Sequence, residues 1–228
     1  MTQRLAVLRP EPGHAATRAR AEAAGFETVS LPLFAVQALA WEVPPAAAFD
    51  ALILTSANAV RFAGAELAGL TSLPVLAVGP HTAAAAQAAG FDVMATGRGD
   101  GAEIAAVAEA HGVSRALHLT GRDRTLSAGG PIARVIAVYE SAAMAVDPAR
   151  LTDLIGSTVL LHSARAARRL AELLDAAAID RARIAITAFS PAIAAAAGRG
   201  WAACASAATP DDAALFVAAR SIAGQQGR

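Results

Sequence analysis

The chain has 228 residues, of which 55% are hydrophobic and 17% charged, a composition that excludes intrinsic disorder and suits two small α/β domains. Nineteen basic residues balance nineteen acidic ones and only 4% are aromatic, so the chain lacks the positive field and stacking surfaces of a general nucleic-acid-binding protein. Every basic residue is arginine, which excludes a Schiff-base lysine, a pyridoxal phosphate anchor and the lysine of a phosphate-binding P-loop.

Short apolar runs predict β-strands, each followed by a polar turn or an alanine-rich segment of helical length. In chain order the predicted strands are Leu5–Leu8, Thr28–Leu31, Ala51–Leu54, Val75–Val78, Asp92–Ala95, Ala116–Leu119, Val135–Val138, Val159–Leu161, Ile184–Ala188 and Trp201–Ala205. Most are apolar at nearly every position, as in strands buried on both faces. Such strands alternating with helices predict an α/β fold with parallel sheets.

One predicted helix, residues 164–177, carries a clear amphipathic stripe. Its apolar side chains, including Leu170 and Leu174, fall on one face and are expected to face the core. The charged residues expected to face solvent are Arg165, Arg168, Arg169, Glu172 and Asp175.

The chain contains an internal repeat. Leu54-Thr55-Ser56-Ala57 is echoed by Leu161-His162-Ser163-Ala164, and residues 79–84 are echoed by residues 190–195. A third pair is formed by the acidic starts of two predicted helices, at residues 100–103 and 211–213. The repeat predicts two similar lobes, each a parallel sheet flanked by helices.

The order of these segments predicts that the first lobe is discontinuous. The segment Leu5–Leu33 has a weaker counterpart in residues 116–141, at the end of the first repeat copy. The strands that complete the N-terminal segment must therefore come from the end of the chain. We expect residues 1–34 and 146–228 to form the first α/β lobe, residues 41–138 the second, and residues 35–40 and 139–145 to be linker strands paired as a two-stranded β-ladder.

The turns after the predicted strands are short and rich in hydrogen-bond donors. In open α/β sheets, ligands bind outside the carboxyl ends of the strands, where helix N-termini present free N–H groups. Helix capping alone explains any single turn. Six turns together, with Arg9, Arg122 and Arg124, predict a surface for an anion with several separated carboxylates. These turns lie at residues 9–13, 55–58, 79–82, 120–124, 162–165 and 190–191. Neither Ser56 nor Ser163 has an evident base partner, so we expect no nucleophilic serine.

The sequence predicts no metal, no cofactor and no membrane span. Cys204 is the only cysteine, the histidines are widely spaced, and no G-x-G-x-x-G follows a strand. Prolines, glycines and polar residues interrupt the uncharged stretch between Glu66 and Asp92. The apolar run at the start is too short for a signal peptide, so we expect a cytoplasmic protein.

Several motifs follow one another in a specific order: L-R-P at residues 8–10, F-D-A-L-I-L-T-S-A-N-A-V at 49–60, A-V-G-P-H-T-A at 77–83, L-T-G-R at 119–122 and V-Y-E-S at 138–141. Together they resemble the uroporphyrinogen-III synthase family over nearly the whole chain. The resemblance implies two α/β lobes joined by a β-ladder, the first lobe built from both chain ends, and no cofactor or metal. It also implies the family's reaction, in which hydroxymethylbilane, a linear tetrapyrrole rich in carboxylates, loses water and closes to uroporphyrinogen III with inversion of the last pyrrole ring.

The resemblance also supplies candidate site residues. Tyr139, the only tyrosine, matches the family tyrosine on the linker strand and is the candidate to protonate or hydrogen-bond the departing hydroxyl. The candidate substrate-binding residues are Arg9, Thr55, Ser56, Asn58, Gly79, Thr82, Gly121, Arg122, Ser163 and Ser190. Positioning is expected to matter more than acid catalysis, since effective-molarity effects reach roughly 7 to 11 kcal/mol, whereas a general acid adds about 10² to 10⁴ in rate.

Two segments depart from the family pattern. Residues 190–194, Ser-Pro-Ala-Ile-Ala, stand where the family commonly has a G-P-T-T-A type turn, and the segment Gly121–Tyr139 is short, which predicts a truncated helix between Arg124 and Val135. The alternative functions are a non-catalytic two-lobed binder or sensor of an anionic metabolite and an inactive homologue kept for partner binding. We expect a monomer, and a transient contact with the preceding pathway enzyme is left open.

Overall fold

The computed structural model describes residues 2–97, 101–124 and 126–226, so the acidic helix start predicted at Asp100 lies outside the described residues. The strands are β1 (Arg4–Val7), β2 (Glu27–Ser30), β3 (Phe34–Ala38), β4 (Ala51–Leu54), β5 (Val75–Val78), β6 (Val93–Gly97), β7 (Ala116–Gly121), β8 (Ile132–Ala143), β9 (Thr158–Leu161), β10 (Ala185–Ala188) and β11 (Ala203–Ser206). The helices are α1 (Gly13–Ala23), α2 (Ala57–Phe62), α3 (Pro80–Ala88), α4 (Gly101–Ala110), α5 (Pro148–Leu151), α6 (Ala164–Ala176), α7 (Pro191–Ala196) and α8 (Asp212–Gln226), with short 3₁₀ turns at Ala46–Ala48, Ala65–Leu70, Thr152–Leu154 and Arg181–Arg183.

The chain divides into two compact units. The first consists of Met1–Ala35 and Ala143–Arg228, and the second of Val36–Ala142. The predicted α/β class, with two mostly parallel sheets and a discontinuous first lobe, is confirmed. No helix among the described residues is both long and apolar enough to cross a membrane.

The first unit is built on a five-stranded parallel sheet in the order β11-β10-β9-β1-β2. Successive side chains of a strand point to opposite faces, and both faces are covered. Leu5 and Val7 pack on one face with α1 and α8, while Ala6 and Leu8 pack on the other with α6 and α7. This two-sided burial explains why the central strands are apolar at nearly every position.

The second unit has a six-stranded sheet in the order β3-β8-β7-β4-β5-β6. Leu52 and Leu54 pack on one face with α2 and α3, and Ala51 and Ile53 pack on the other with α4. Strands β4 to β8 run parallel to one another. Backbone hydrogen bonds from Leu39 N to Val138 O, 2.9 Å, and from Met144 N to Leu33 O, 3.0 Å, show that the segment containing β3 runs antiparallel to β8 and forms the predicted ladder.

Helix α6 begins where the sequence predicted and buries the predicted stripe, with Leu170 and Leu174 both inaccessible. The prediction that Arg169 faces solvent is wrong. Its side chain is half-buried and its Nη2 donates a 2.8 Å hydrogen bond to Met144 O. A long arginine stem can pack on apolar surface at the margin of a helix's buried stripe, which charge alone does not reveal.

The predicted truncated helix between β7 and β8 is also wrong for the described residues of that connection, 122–124 and 126–131, which are not helical. The connection has ten residues, and a parallel crossover usually needs a dozen or more. Gly129 and Ile132 exchange two 3.0 Å backbone hydrogen bonds, and both Gly129 and Gly130 have positive φ. A tight turn therefore takes the place of the helix, and Leu126 packs against the core that α4 covers.

Candidate functional site

Four candidate residues lie on neighbouring strands at the carboxyl edge of the second unit's sheet. Thr55 directly follows β4, Gly79 directly follows β5, and Gly121 ends β7. Tyr139 lies opposite Gly121 in β8. Because β8, β7, β4 and β5 are consecutive in the sheet and parallel, these residues form a row about 14 Å long at about 4.8 Å per strand.

The ring of Tyr139 lies directly over the backbone of Gly121. A Cβ atom on Gly121 would lie 2.8 Å from Cε2 and Cζ of the ring and 3.1 Å from its hydroxyl oxygen. Phe62, at the end of α2, flanks the ring with a centroid distance of 6.3 Å. The absence of a side chain at residue 121 therefore lets the half-buried tyrosine lie across the tip of β7.

Thr55 is paired with a histidine that the sequence did not single out. Its Oγ1 lies 3.1 Å from Nε2 of His118, which is fully buried in β7. Burial, together with the positive charge of Arg124, lowers the pKa of His118 to about 4. The imidazole is therefore neutral near pH 7.

The polar groups at the N-termini of α2 and α3, which follow β4 and β5, have different roles. Ser56 Oγ accepts a 3.2 Å hydrogen bond from Asn58 N and caps α2, and Asn58 Oδ1 accepts one of 3.1 Å from Arg61 Nη1. Gly79 precedes α3 with a φ of 77°, a conformation that favours glycine, and Thr82 is buried in the first helical turn. Ser56 and Asn58 are thus engaged within the unit.

Arg122 is engaged as well. Its Nη1 lies 2.6 Å from Glu140 Oε2, and Gln37 Nε2 donates a 2.7 Å hydrogen bond to the other oxygen of the same carboxylate. These contacts tie the turn after β7 to β8 and β3. The guanidinium remains largely exposed, with its charge partly balanced by Glu140.

In the first unit, Arg9, Ser163 and Ser190 follow the neighbouring strands β1, β9 and β10. Ser163 Oγ accepts a 3.2 Å hydrogen bond from Ala166 N, and Ser190 Oγ accepts one of 3.3 Å from Ile193 N. Both serines are therefore N-caps. The three residues share one carboxyl edge, as the sequence predicts for parallel strands.

A buried carboxylate, Asp212, organises this edge of the first unit. Its side chain is 4% exposed, and Oδ2 accepts hydrogen bonds from Thr17 Oγ1 at 2.9 Å and Arg20 Nη1 at 2.5 Å. Oδ1 lies 3.1 Å from His162 Nε2 and 4.0 Å from Arg9 Nη1. Burial raises the pKa of Asp212, but the hydrogen bonds from His162, Thr17 and Arg20 outweigh burial and hold it well below its ordinary value.

Asp212 lines a surface cavity of about 450 Å³ together with Arg9, Arg20 and Phe189. The sequence predicted an acidic helix start at residues 211–213 but gave no sign that one of its two aspartates is buried. The arginine partners lie about 200 residues earlier in the chain, so no local pattern links them. Among the described residues, no three His, Cys, Asp or Glu side chains cluster as a metal site would require.

Comparisons with known proteins agree with this architecture. The family model described as uroporphyrinogen-III synthase HemD matches residues 15–216. A crystal structure of uroporphyrinogen-III synthetase from Helicobacter pylori 26695 is 19% identical, with a TM-score of 0.64 over 97% of this chain and 100% of that chain. A mutant uroporphyrinogen III synthase from the extremely thermophilic bacterium Thermus thermophilus is also 19% identical, with a TM-score of 0.51 over 98% of this chain and 100% of that chain.

No curated protein sequence matched the chain. At 19% identity the two solved structures show a shared fold, whereas the family model rests on the sequence itself and spans most of the chain. The chain belongs to the uroporphyrinogen-III synthase family.

Proposed function

We propose that this chain binds hydroxymethylbilane and directs its closure to uroporphyrinogen III. The observation that carries the proposal is the row of Thr55, Gly79, Gly121 and Tyr139 on four neighbouring strands. A row of this length, with half-buried hydroxyl groups at Thr55 and Tyr139 and the half-buried backbone of Gly79, suits the separated carboxylates of a linear tetrapyrrole.

Tyr139 is proposed to assist departure of the terminal hydroxyl. The phenol donates a hydrogen bond or a proton to that oxygen as the C–O bond breaks. The N–H proton of the same pyrrole ring joins the departing hydroxide or restores the phenol, so that water and a neutral azafulvene result. The substituted carbon of the last pyrrole ring then attacks the azafulvene. Gly121 and Phe62 hold the aromatic ring, so the position of the phenol is set before the substrate binds. Spontaneous closure gives the other isomer, so the chief task of the protein is to hold the chain in the productive conformation.

The remaining candidates are proposed as carboxylate-binding groups. Thr55 and Gly79 would serve in the second unit, where the buried Thr82 would contribute through its backbone N–H in the first turn of α3. Arg9, with a side chain 33% exposed, would serve in the first. Arg122 would bind a carboxylate in addition to Glu140. The residues Ser56, Asn58, Ser163 and Ser190 are proposed to contribute mainly by fixing the helix starts that they cap or flank.

We further propose that the enzyme acts as a monomer in the cytoplasm and without a cofactor. The sequence supports cofactor independence because it has no lysine for pyridoxal phosphate and no dinucleotide-binding glycine motif. A transient contact with the enzyme that produces hydroxymethylbilane remains a prediction.

The direct test generates hydroxymethylbilane in situ, adds the purified protein after dialysis against a chelator, and separates the porphyrin isomers after oxidation. We expect type III to predominate. Type I alone would contradict the proposal, and bound but unconverted bilane would instead support a non-catalytic binder of anionic metabolites.

Replacing Tyr139 with phenylalanine tests its assigned role. The variant keeps the ring over Gly121 and loses only the hydroxyl. We therefore expect kcat to fall by a factor of about 10² to 10⁴, the range of general acid catalysis, while KM changes little. Unchanged kcat would remove Tyr139 from the mechanism.

A further inference from the structure

The contact between Thr55 and His118 places a buried imidazole against the hydroxyl of a half-buried threonine at the carboxyl edge of the second unit's sheet. His118 lies on the central strand β7, with Ile53 opposite it on β4 and Val135 opposite it on β8. It is 0% exposed, and its Nε2 lies 3.1 Å from Thr55 Oγ1.

Packing alone does not explain a histidine at this position. A leucine would fit among these apolar neighbours without placing two polar nitrogens in the interior, which costs free energy when they are not fully hydrogen-bonded. Among the residues that the structure describes, His118 Nδ1 has no hydrogen-bond partner. The hydrogen bond to Thr55 is therefore the contact that offsets part of the cost of burying the imidazole.

The unpartnered nitrogen indicates which tautomer the ring adopts. A neutral imidazole carries its proton on one nitrogen and leaves the other as an acceptor. Among backbone groups, a buried N–H without a partner is rarer than an under-satisfied acceptor, and the same cost of burying an unpaired donor applies to a ring nitrogen, so we expect the proton on Nε2. His118 then donates to the Thr55 oxygen, and the Thr55 hydroxyl proton is free to form a hydrogen bond elsewhere.

We propose that His118 is a positioning residue that fixes Thr55 as a hydrogen-bond donor, with its hydroxyl proton directed to a carboxylate of the bound ligand. The identification of the ligand group as a carboxylate rests on the proposed function. A carboxylate accepts hydrogen bonds and donates none, so a threonine held in this way favours an anionic oxygen over an alcohol or an amine. Burial keeps the imidazole neutral near pH 7, which preserves this arrangement.

The tautomer can be measured without any substrate. Long-range proton–nitrogen NMR correlations of protein labelled with ¹⁵N-histidine distinguish a protonated from a bare ring nitrogen, and the signal lost in His118→Gln assigns His118. We expect a proton on Nε2 and none on Nδ1 at pH 7. His162 provides an internal reference, because its Nε2 contacts the Asp212 carboxylate, which only accepts. A proton on Nδ1 of His118, or a doubly protonated ring, would overturn the proposal even if the protein is an active synthase.

Once type III formation by the wild-type protein is established, kinetic measurements test whether the Thr55 hydroxyl, positioned by His118, binds the substrate. Thr55→Val and His118→Leu should each raise KM for hydroxymethylbilane about tenfold or more with little change in kcat, as expected for a lost hydrogen bond to a charged group. His118→Gln keeps an N–H donor and should stay within about threefold of the wild type. The double variant His118→Leu/Thr55→Val should be no worse than Thr55→Val, because the histidine acts through the threonine.

Multiplicative effects in the double variant, or a wild-type KM in His118→Leu, would contradict the proposal. Circular dichroism and the urea midpoint of each variant show whether it is folded. If His118→Leu does not fold, the comparison of Thr55→Val with Thr55→Ser, which restores the hydroxyl, decides whether this hydroxyl binds the substrate, and the NMR measurement decides the tautomer.

Discussion

Replacing Asp212 with asparagine should destabilise the first unit while leaving its shape intact. The carboxylate is 4% exposed and accepts hydrogen bonds from Thr17, Arg20 and His162. Asparagine has nearly the same volume, but it has no charge and one of its two polar atoms is a donor. The substitution therefore weakens every bond of this cluster without creating a cavity.

The expected loss in the free energy of unfolding follows from the hydrogen-bond donors to Asp212. A hydrogen bond to a charged group contributes about 1.5 to 3 kcal/mol, against about 0.5 to 1.5 kcal/mol for a neutral pair, so each bond to a buried partner should weaken by about 1 kcal/mol. Thr17 and His162 are such partners, whereas Arg20 is 61% exposed and its contribution is screened by solvent. We therefore expect Asp212→Asn to lower the free energy of unfolding by about 2 to 3 kcal/mol.

The two tryptophans allow the units to be followed separately. Trp41 lies in the second unit and Trp201 in the first, so urea unfolding in a Trp41→Phe background reports the first unit by fluorescence. Asp211→Asn is the matched control, because Asp211 is exposed and caps α8 through Ala214 N, and asparagine is an equally good N-cap. The control should change the free energy of unfolding by less than about 0.5 kcal/mol.

The dependence on pH has a definite sign. Because the pKa of Asp212 is lower in the folded state, its stabilising contribution is fully present above the unfolded value of about 3.9 and is lost as the pH falls toward the folded pKa. The difference between wild type and Asp212→Asn should be constant between about pH 5 and pH 8 and should shrink below about pH 4. Equal stability of the Asp212→Asn and Asp211→Asn proteins at pH 7 would refute this reasoning.

Three further predictions concern single contacts. Gly121→Ala places a Cβ 2.8 Å from ring carbons of Tyr139, so the ring must move, and kcat in the isomer assay should fall at least as far as in Tyr139→Phe. Ser163→Ala removes the N-cap of α6 and should cost about 1 kcal/mol in the same urea assay, whereas Ser163→Asp should retain most of the stability. Glu140→Gln removes the charge that balances Arg122, so KM for the anionic bilane should fall, while the free energy of unfolding should change by less than about 1 kcal/mol.

The strands could be predicted from the sequence because burial on both faces leaves a strong local signal. The predicted strands Ala51–Leu54 and Val75–Val78 agree with the structure at both ends, and both have interiors with no exposed residue. The discontinuous first unit followed from the order of the repeated segments rather than from any single motif. Patterns that are local, or that repeat, were therefore sufficient for the architecture.

The polar contacts at the strand ends could not be predicted in the same way. His118 and Asp212 each depend on partners that are distant in the chain, and nothing in the neighbouring residues distinguishes them from an ordinary strand residue or helix cap. Arg169 was misassigned because the burial of a long side chain depends on what lies beside the helix. The connection after Arg124 was misassigned because two glycines with positive φ made a turn possible where a helix was expected.

The isomer ratio measured as a function of protein concentration decides whether this protein directs ring closure. With hydroxymethylbilane supplied at a constant rate, the share of type III product should rise with added protein until it predominates, because enzymatic closure then outpaces the spontaneous reaction. A share of type III that stays at the spontaneous level at every protein concentration would contradict the account.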